Sequence, residues 1–120
     1  MDFRIKKQQI MDKRINIAIS QYIELIRKEY SGIEKAILFG SYAKNAESME
    51  SDIDLAIVFD KLSDEEKFDI QVQLMMLASQ IDYRIEPHPF SKEEFYSDNP
   101  FTAEIKRTGI ELSFKGSEHN

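Results

Sequence analysis

The sequence contains no cysteine among its 120 residues. That absence excludes a disulfide framework, a thiolate nucleophile and a thiolate metal site. It agrees with a reducing compartment, so we expect a cytoplasmic location. No apolar run approaches the length of a transmembrane helix, and the charged start from Met1 to Lys7 is followed by no apolar core. We therefore expect neither a secretory signal nor a membrane partner.

An excess of positive charge is also absent, since the formal net charge is −6. A protein that coats DNA or RNA needs the opposite sign, so general nucleic-acid binding is not expected. The charge is uneven, because residues 47–69 are strongly acidic whereas residues 1–14 are basic. Solvated faces explain both stretches. The alternative is that the acidic centre recruits cations and the basic arm contacts an acidic partner.

Histidine is scarce, with only His88 and His119 in the chain. Neither a Ser/His/Asp triad nor a histidine-rich metal site can be built from these two residues. His88 is two residues past Glu86 and between prolines, which favours an exposed structural role over a place at the mouth of a site.

The length of the chain and its 42% hydrophobic content suit one small domain. We expect that domain to span residues 1–120, with an N-terminal helix inside residues 1–31 and a frayed tail at residues 115–120. Apolar residues at helical spacing place the helix at about residues 7–30.

Short apolar runs predict strands at residues 34–39, 53–59, 82–87 and 110–114. Two prolines at the end of the 82–87 segment indicate an edge strand or a strand end. Together with the helices, these runs predict an α/β (α+β) fold with a small mixed sheet and helices packed mainly on one face.

Capping signals mark the starts of three helices, at Ser63–Glu66, Ser91–Glu94 and Asn99–Pro100. Gly109 is expected to end the last of them. The helix after Ser63 carries an apolar stripe made of Ile70, Leu74, Leu77 and Ile81. Met75 and Met76 are assigned to the core as gap-filling side chains.

A tight turn and two carboxylates carry the functional signal. Gly40 and Ser41 follow one apolar strand, and Asp52 and Asp54 open the next. Glycine allows a sharp turn close to a ligand, and Ser41 can cap a helix starting at Tyr42 or bond a phosphate oxygen. Side chains alternate along a strand, so the two acids share a face and repel unless a cation lies between them. This pairing suits a nucleoside triphosphate with its metal ions.

The stretch Gly40–Leu55 reads G-S-Y-A-K-N-A-E-S-M-E-S-D-I-D-L and resembles the signature of the nucleotidyltransferase superfamily that includes DNA polymerase beta. It is most similar to the minimal nucleotidyltransferase (MNT) branch, with its pattern G-S-x-A-x-G, a short loop and S-D-x-D-L. The segment Arg84–Phe90 resembles the strand that supplies the third carboxylate of the family, and the chain from Asn99 to Leu112 resembles its tail.

Three positions depart from the family pattern. Asn45 stands in place of glycine, but asparagine tolerates a left-handed backbone better than most residues. Lys44 replaces the frequent arginine and loses its bidentate fork. The third acid is Glu86 by sequence context, and Asp82, four residues earlier, is the alternative.

The resemblance implies a metal-dependent nucleotidyltransferase that moves AMP from ATP to a hydroxyl acceptor. Asp52, Asp54 and Glu86 would be the catalytic acids and would hold two Mg²⁺ ions, with Mn²⁺ as a substitute. Gly40, Ser41 and Lys44 would bind the nucleotide phosphates.

The acceptor surface is expected to come from a second chain, either a copy of this one or another protein. In the MNT family such a partner is the all-helical HEPN toxin of a toxin–antitoxin pair, and some members transfer AMP to a toxin tyrosine. The resemblance therefore implies an adenylyltransferase antitoxin. The alternatives are a non-catalytic antitoxin that neutralises its partner by contact, and a nucleotide-binding regulator without transfer chemistry.

Overall fold

A computed structural model describes residues 3–5, 13–43 and 52–114 of the chain. The elements in chain order are β1 (Phe3–Ile5), α1 (Lys13–Glu29), β2 (Ile33–Phe39), β3 (Ile53–Phe59), α2 (Asp64–Ser79), β4 (Ile85–Ser91), α3 (Lys92–Phe95), α4 (Pro100–Thr108) and β5 (Ile110–Phe114). Among the described residues, none of the helices has the length and apolar character that crossing a bilayer requires.

The strands form one mixed sheet in the order β1-β5-β2-β3-β4. Only β3 and β4 run parallel, with α2 as their crossover, and the other neighbours are antiparallel. This arrangement brings the carboxyl end of β2 beside the amino ends of β3 and β4. Polar residues at these three strand ends therefore meet at one edge of the sheet.

Each face of the sheet has its own apolar cluster. Ile53, Leu55 and Ile57 of β3 point toward the two long helices, α1 and α2. Ala56 and Val58 point to the opposite face, which α3 and α4 cover in part. The alternation follows from the two-residue period of a strand. The predicted mixed α/β sheet, with its long helices on one face, is confirmed.

The predicted signals are confirmed at the starts of α2, α3 and α4 and at the end of α4. Ser63 caps α2 by accepting a hydrogen bond from the Glu66 amide at 3.2 Å, and the Glu66 carboxylate accepts one from the Ser63 amide at 3.1 Å. The Asn99 side chain caps α4 by accepting hydrogen bonds from the Phe101 and Thr102 amides, and Gly109 ends the helix. Leu74 is buried, and Ile70, Leu77 and Ile81 pack partly buried against the core, although Ile81 lies in the turn that follows α2.

The third predicted strand is displaced. The sequence placed it at residues 82–87, whereas β4 runs from Ile85 to Ser91 and holds Pro87 and Pro89 in its interior. The prolines are tolerated because β4 pairs only with β3, so one side of its backbone faces no strand. The Arg84 carbonyl accepts from the Ile53 amide of β3, whereas the Pro87 carbonyl accepts from the Gln71 side chain. Odd-numbered β4 residues thus turn their backbone groups outward, where a missing N–H costs nothing.

Two further expectations differ from the structure. Met75 and Met76 are 46% and 63% exposed, so their assignment to the core is wrong. They lie opposite the buried stripe of α2, which already fills the space beneath the helix.

Residues 40–43 form a turn rather than the start of a helix, and residues 44–51 lie outside the described part of the chain. The first helix is described from Lys13 onward, and the predicted tail at 115–120 also lies outside that part.

Candidate active site

Strand register places the candidate acids side by side. Phe39 at the end of β2 pairs with Asp54, and Asp54 pairs with Glu86 on the parallel strand β4. Asp54 shares its sheet face with Ala56 and Val58, so it lies on the α3/α4 side rather than beneath the long helices. The Phe101 ring at the start of α4 packs against Phe39 with centroids 5.9 Å apart and borders this face of the site.

The turn after β2 approaches Asp54 closely. Gly40 has φ +79°, in the left-handed region that glycine adopts without strain. A Cβ atom at this position would lie 2.5 Å from Asp54 Oδ2. Glycine is therefore required here twice, for its backbone angle and for the space beside the carboxylate.

His88 belongs to the site, although the sequence pattern favoured an exposed structural histidine. Its Nε2 atom lies 3.1 Å from Asp54 Oδ1, and its side chain is 29% exposed. The ring also packs against Phe39, with centroids 5.1 Å apart. The sequence did contain a signal for this position. His88 follows Glu86 by two residues, so the two side chains must lie on the same face of the strand.

Glu86 carries the clearest electrostatic signature of the site. Its pKa is raised above the ordinary value, first by loss of hydration, then by a hydrogen bond with Asp52 and by the charges of Asp52 and Asp54. His88 acts in the opposite direction. Asp52 precedes β3 and is exposed, yet it interacts with Glu86. The three predicted acids are thus brought together, and their mutual repulsion favours a bound cation.

Asp82, the alternative third acid, is engaged elsewhere. It lies in the turn before β4, not on a strand face, and its carboxylate forms a bidentate pair with Arg84 at 2.9 and 3.1 Å. The hydrogen bond from Arg84 holds the pKa of Asp82 below its ordinary value. A carboxylate already neutralised by a guanidinium is a weaker choice for a metal ligand than Glu86.

The donor set fits a divalent metal ion. Asp54, Glu86 and His88 each offer one ligand atom, and these atoms lie within 4.8 Å of one another. Two are carboxylate oxygens, the ligands that Mg²⁺ and Mn²⁺ prefer. Asp52 lies next to these three residues because it forms a hydrogen bond with Glu86.

The predicted phosphate contacts are described in part. Gly40 and Ser41 are half-buried at the turn, and the next two residues, Tyr42 and Ala43, are buried in the core beneath α1 and α2. That burial anchors the turn beside Asp54. Lys44, the predicted phosphate-binding lysine, lies outside the described residues, as does Asn45.

The sequence of this chain matches the model of a known protein family. The model of the family described as "Polymerase beta, Nucleotidyltransferase" matches residues 21–114, which include β2 through β5 and all the described site residues.

One curated relative matches over a shorter segment. The "Putative protein adenylyltransferase" of Methanocaldococcus jannaschii is 48% identical over 44 residues. The match covers 36% of this chain and 44% of that protein, so it spans less than half of the relative's length.

Solved structures share the fold at low sequence identity. A "putative nucleotidyltransferase" from Sulfolobus solfataricus has a TM-score of 0.51 at 21% identity, covering 73% of this chain and 82% of that one. A toxin–antitoxin structure with AMP-PNP has a TM-score of 0.56 at 21% identity, covering 82% and 75%. A tri-AMPylated Shewanella oneidensis HEPN toxin in complex with MNT antitoxin gives 0.54 at 18% identity, covering 85% and 74%.

Proposed function

This chain belongs to the polymerase beta nucleotidyltransferase family, and from that premise we propose that it transfers AMP from ATP to a hydroxyl group of a partner protein. One observation carries the proposal: Asp54 and Glu86 lie in register on adjacent strands, directly beside the Gly40 turn. Carboxylates next to a glycine turn can serve the metal ions and the phosphates of one bound nucleotide.

The acids have distinct roles in this proposal. Asp52 and Asp54 would hold Mg²⁺ against the triphosphate, and together with Glu86 they would hold a second ion, with Mn²⁺ as a substitute for either. Bound metal would supply charge stabilisation to the attacking and leaving oxygens of an in-line displacement. Glu86, the acid nearest the acceptor in this proposal, would also help to remove the proton of the acceptor hydroxyl.

The phosphate side of the site depends on the turn. The backbone at Gly40 and the Ser41 hydroxyl would orient the β- and γ-phosphates, and Lys44 would neutralise their charge. The absence of a Cβ at Gly40 leaves Asp54 in place while the backbone approaches the nucleotide. The proton would thus be accepted at β4 and the phosphates would be bound at the end of β2, on either side of β3, which suits transfer at the α-phosphate.

We propose a helical HEPN-type toxin as the partner, with a tyrosine as the acceptor. The two toxin–antitoxin neighbours support this partner by fold, and the curated relative supports adenylyl transfer to a protein. A second copy of this chain is the alternative acceptor. A cytoplasmic location, where such a partner would be met, stays a prediction.

The test is transfer from labelled ATP with Mg²⁺ to the helical protein encoded beside this one, followed by intact mass. The parent should add AMP to the partner. Glu86→Gln should keep ATP binding and lose transfer by about a hundredfold or more, roughly 3 kcal/mol of barrier. Asp82→Asn is the matched control because it also removes one carboxylate near β4, and it should retain transfer. Transfer that persists in Glu86→Gln and fails in Asp82→Asn would reverse this assignment.

A second candidate function is neutralisation by contact alone, and exposed apolar residues on α2 favour it. Phe68, Val72, Met75 and Met76 follow helical spacing and form one stripe on the solvent side, with Phe68 74% exposed. Such a stripe is typical of a protein contact surface. A pure binder would neutralise the toxin equally well with Glu86→Gln, without any gain of mass, and would lose neutralisation with Phe68→Ser and Met76→Ser combined.

A further inference from the structure

The position of His88 has a consequence for the kind of metal ion this site selects. Glu86 and His88 point to the same face of β4, and Ala56 is the β3 residue directly paired with His88. The small Ala56 side chain leaves room for the imidazole to lean toward Asp54, two residues away along β3. The ring reaches across β3 and packs against Phe39 of β2, with centroids 5.1 Å apart, and its Nε2 atom lies 3.1 Å from Asp54 Oδ1.

The three donor atoms are spaced as ligands of one ion. Two ligand atoms that each lie about 2.1 Å from a metal ion are separated by roughly 3 to 4 Å. His88 Nε2 and Asp54 Oδ1 are already 3.1 Å apart, and Glu86 brings its oxygen within 4.8 Å of both. Glu86 is only half-buried and would complete the ligand set from the neighbouring strand.

An imidazole ligand changes which metal ions an otherwise acidic site binds well. Mg²⁺ takes oxygen ligands and keeps several waters, so it gains little from a nitrogen donor. Zn²⁺ and the ions near it in the first transition row bind imidazole well. We propose that His88 is a direct metal ligand with Asp54 and Glu86, and that its imidazole adds affinity for Zn²⁺ and Co²⁺ while leaving the affinity for Mg²⁺ almost unchanged.

The proposal uses two acids of the proposed function, but its test needs no nucleotide, partner or turnover. The competing explanation is that His88 only orients Asp54 through a hydrogen bond. A positioning residue would alter the affinity for every metal that Asp54 binds, whereas a direct nitrogen ligand alters the affinity for imidazole-binding metals alone. The two roles therefore differ in metal dependence.

The experiment titrates Zn²⁺, Co²⁺ and Mg²⁺ separately into the parent protein, His88→Gln and His119→Gln, by calorimetry without nucleotide. The matched control removes the other imidazole of the chain. His88→Gln should weaken Zn²⁺ and Co²⁺ binding by about tenfold or more, while Mg²⁺ binding changes less than about twofold. His119→Gln should match the parent for all three ions.

Co²⁺ also provides a direct optical readout. The visible absorption of the bound ion should change in His88→Gln, because a nitrogen ligand is lost, and remain that of the parent in His119→Gln. His88→Asn is the second variant in case the glutamine chain disturbs the packing on Phe39, and equal urea midpoints show that the fold is kept.

Two outcomes would overturn the proposal. Zn²⁺ and Co²⁺ affinities that are equal in parent and His88→Gln would remove His88 from the ligand set. Equal losses for Mg²⁺ and Zn²⁺ would make it a positioning residue for Asp54. Failure of AMP transfer in the separate assay would refute the proposed function and leave the metal titration as it stands.

Discussion

Substitution of Gly40 by alanine tests whether the turn and the carboxylates form one site. Gly40 has φ +79°, where a side chain costs about 1–2 kcal/mol of folding free energy. Its new Cβ would also lie 2.5 Å from Asp54 Oδ2. An ordinary contact needs the carboxylate to retreat by about 1 Å, away from the ion and from the phosphates.

Gly32→Ala is the matched control. Gly32 has φ +87°, so alanine there has the same backbone cost, but an added Cβ meets nothing within 4 Å. The positive φ should cost both variants about 1–2 kcal/mol in urea unfolding, with the slope unchanged, and Gly40→Ala should lose more because of the clash with Asp54. Subtracting one from the other isolates the effect of displacing Asp54.

Only Gly40→Ala should lose function. A misplacement of about 1 Å at a reacting centre costs on the order of a hundredfold in rate, and metal affinity should fall with it. The assays are Mn²⁺ titration by electron paramagnetic resonance and AMP transfer to the partner, with Gly32→Ala beside it. If both alanine variants bind Mn²⁺ as the parent does, the contact between the turn and Asp54 is not what shapes the site.

Three stability predictions follow from buried or paired polar groups. Tyr22→Phe should cost about 0.5–1.5 kcal/mol in urea unfolding, since the buried hydroxyl donates to the Leu74 carbonyl at 2.9 Å; an unchanged midpoint would show that this bond contributes nothing. Glu86→Gln should stabilise the metal-free protein at neutral pH, because a raised pKa makes the ionised Glu86 unfavourable in the folded state, and the gain should vanish below the ordinary glutamate pKa. A gain that persists at acid pH would point to packing instead. Asp82→Asn should destabilise at neutral pH, since the Arg84 pair lowers the pKa of Asp82, and the loss should disappear as the pH falls through that lowered pKa; a pH-independent loss would contradict the ion-pair explanation.

Local signals in the sequence determined the elements that depend on near neighbours. The boundaries of β3 agree with the prediction, and those of β2 differ by one residue. The starts of α2 and α4 follow from side chains that bond the backbone two or three residues away. Such caps need no distant partner, so they can be recognised from the chain alone.

The motif around Gly40 and Asp54 was equally readable, because both residues flank strands that the hydrophobic pattern defines. Their approach then needs only that the two strands be antiparallel neighbours, and Phe39 at the end of β2 indeed pairs with Asp54 of β3. The family model matches residues 21–114, a range that includes this motif.

The position of β4 in the chain and the contacts of its neighbours were decided by the tertiary structure alone. Its register against β3, set by pairing across a helical crossover, moved the start of the strand by three residues and its end by four, and left Asp82 in a turn with Arg84. The same register brought His88 to Asp54, while packing of the opposite stripe left Met75 and Met76 in solvent. Periodicity tells which residues share a face, but not which distant strand or helix that face meets. Pairing and burial are properties of the assembled sheet, and they determine the neighbours of the candidate acids.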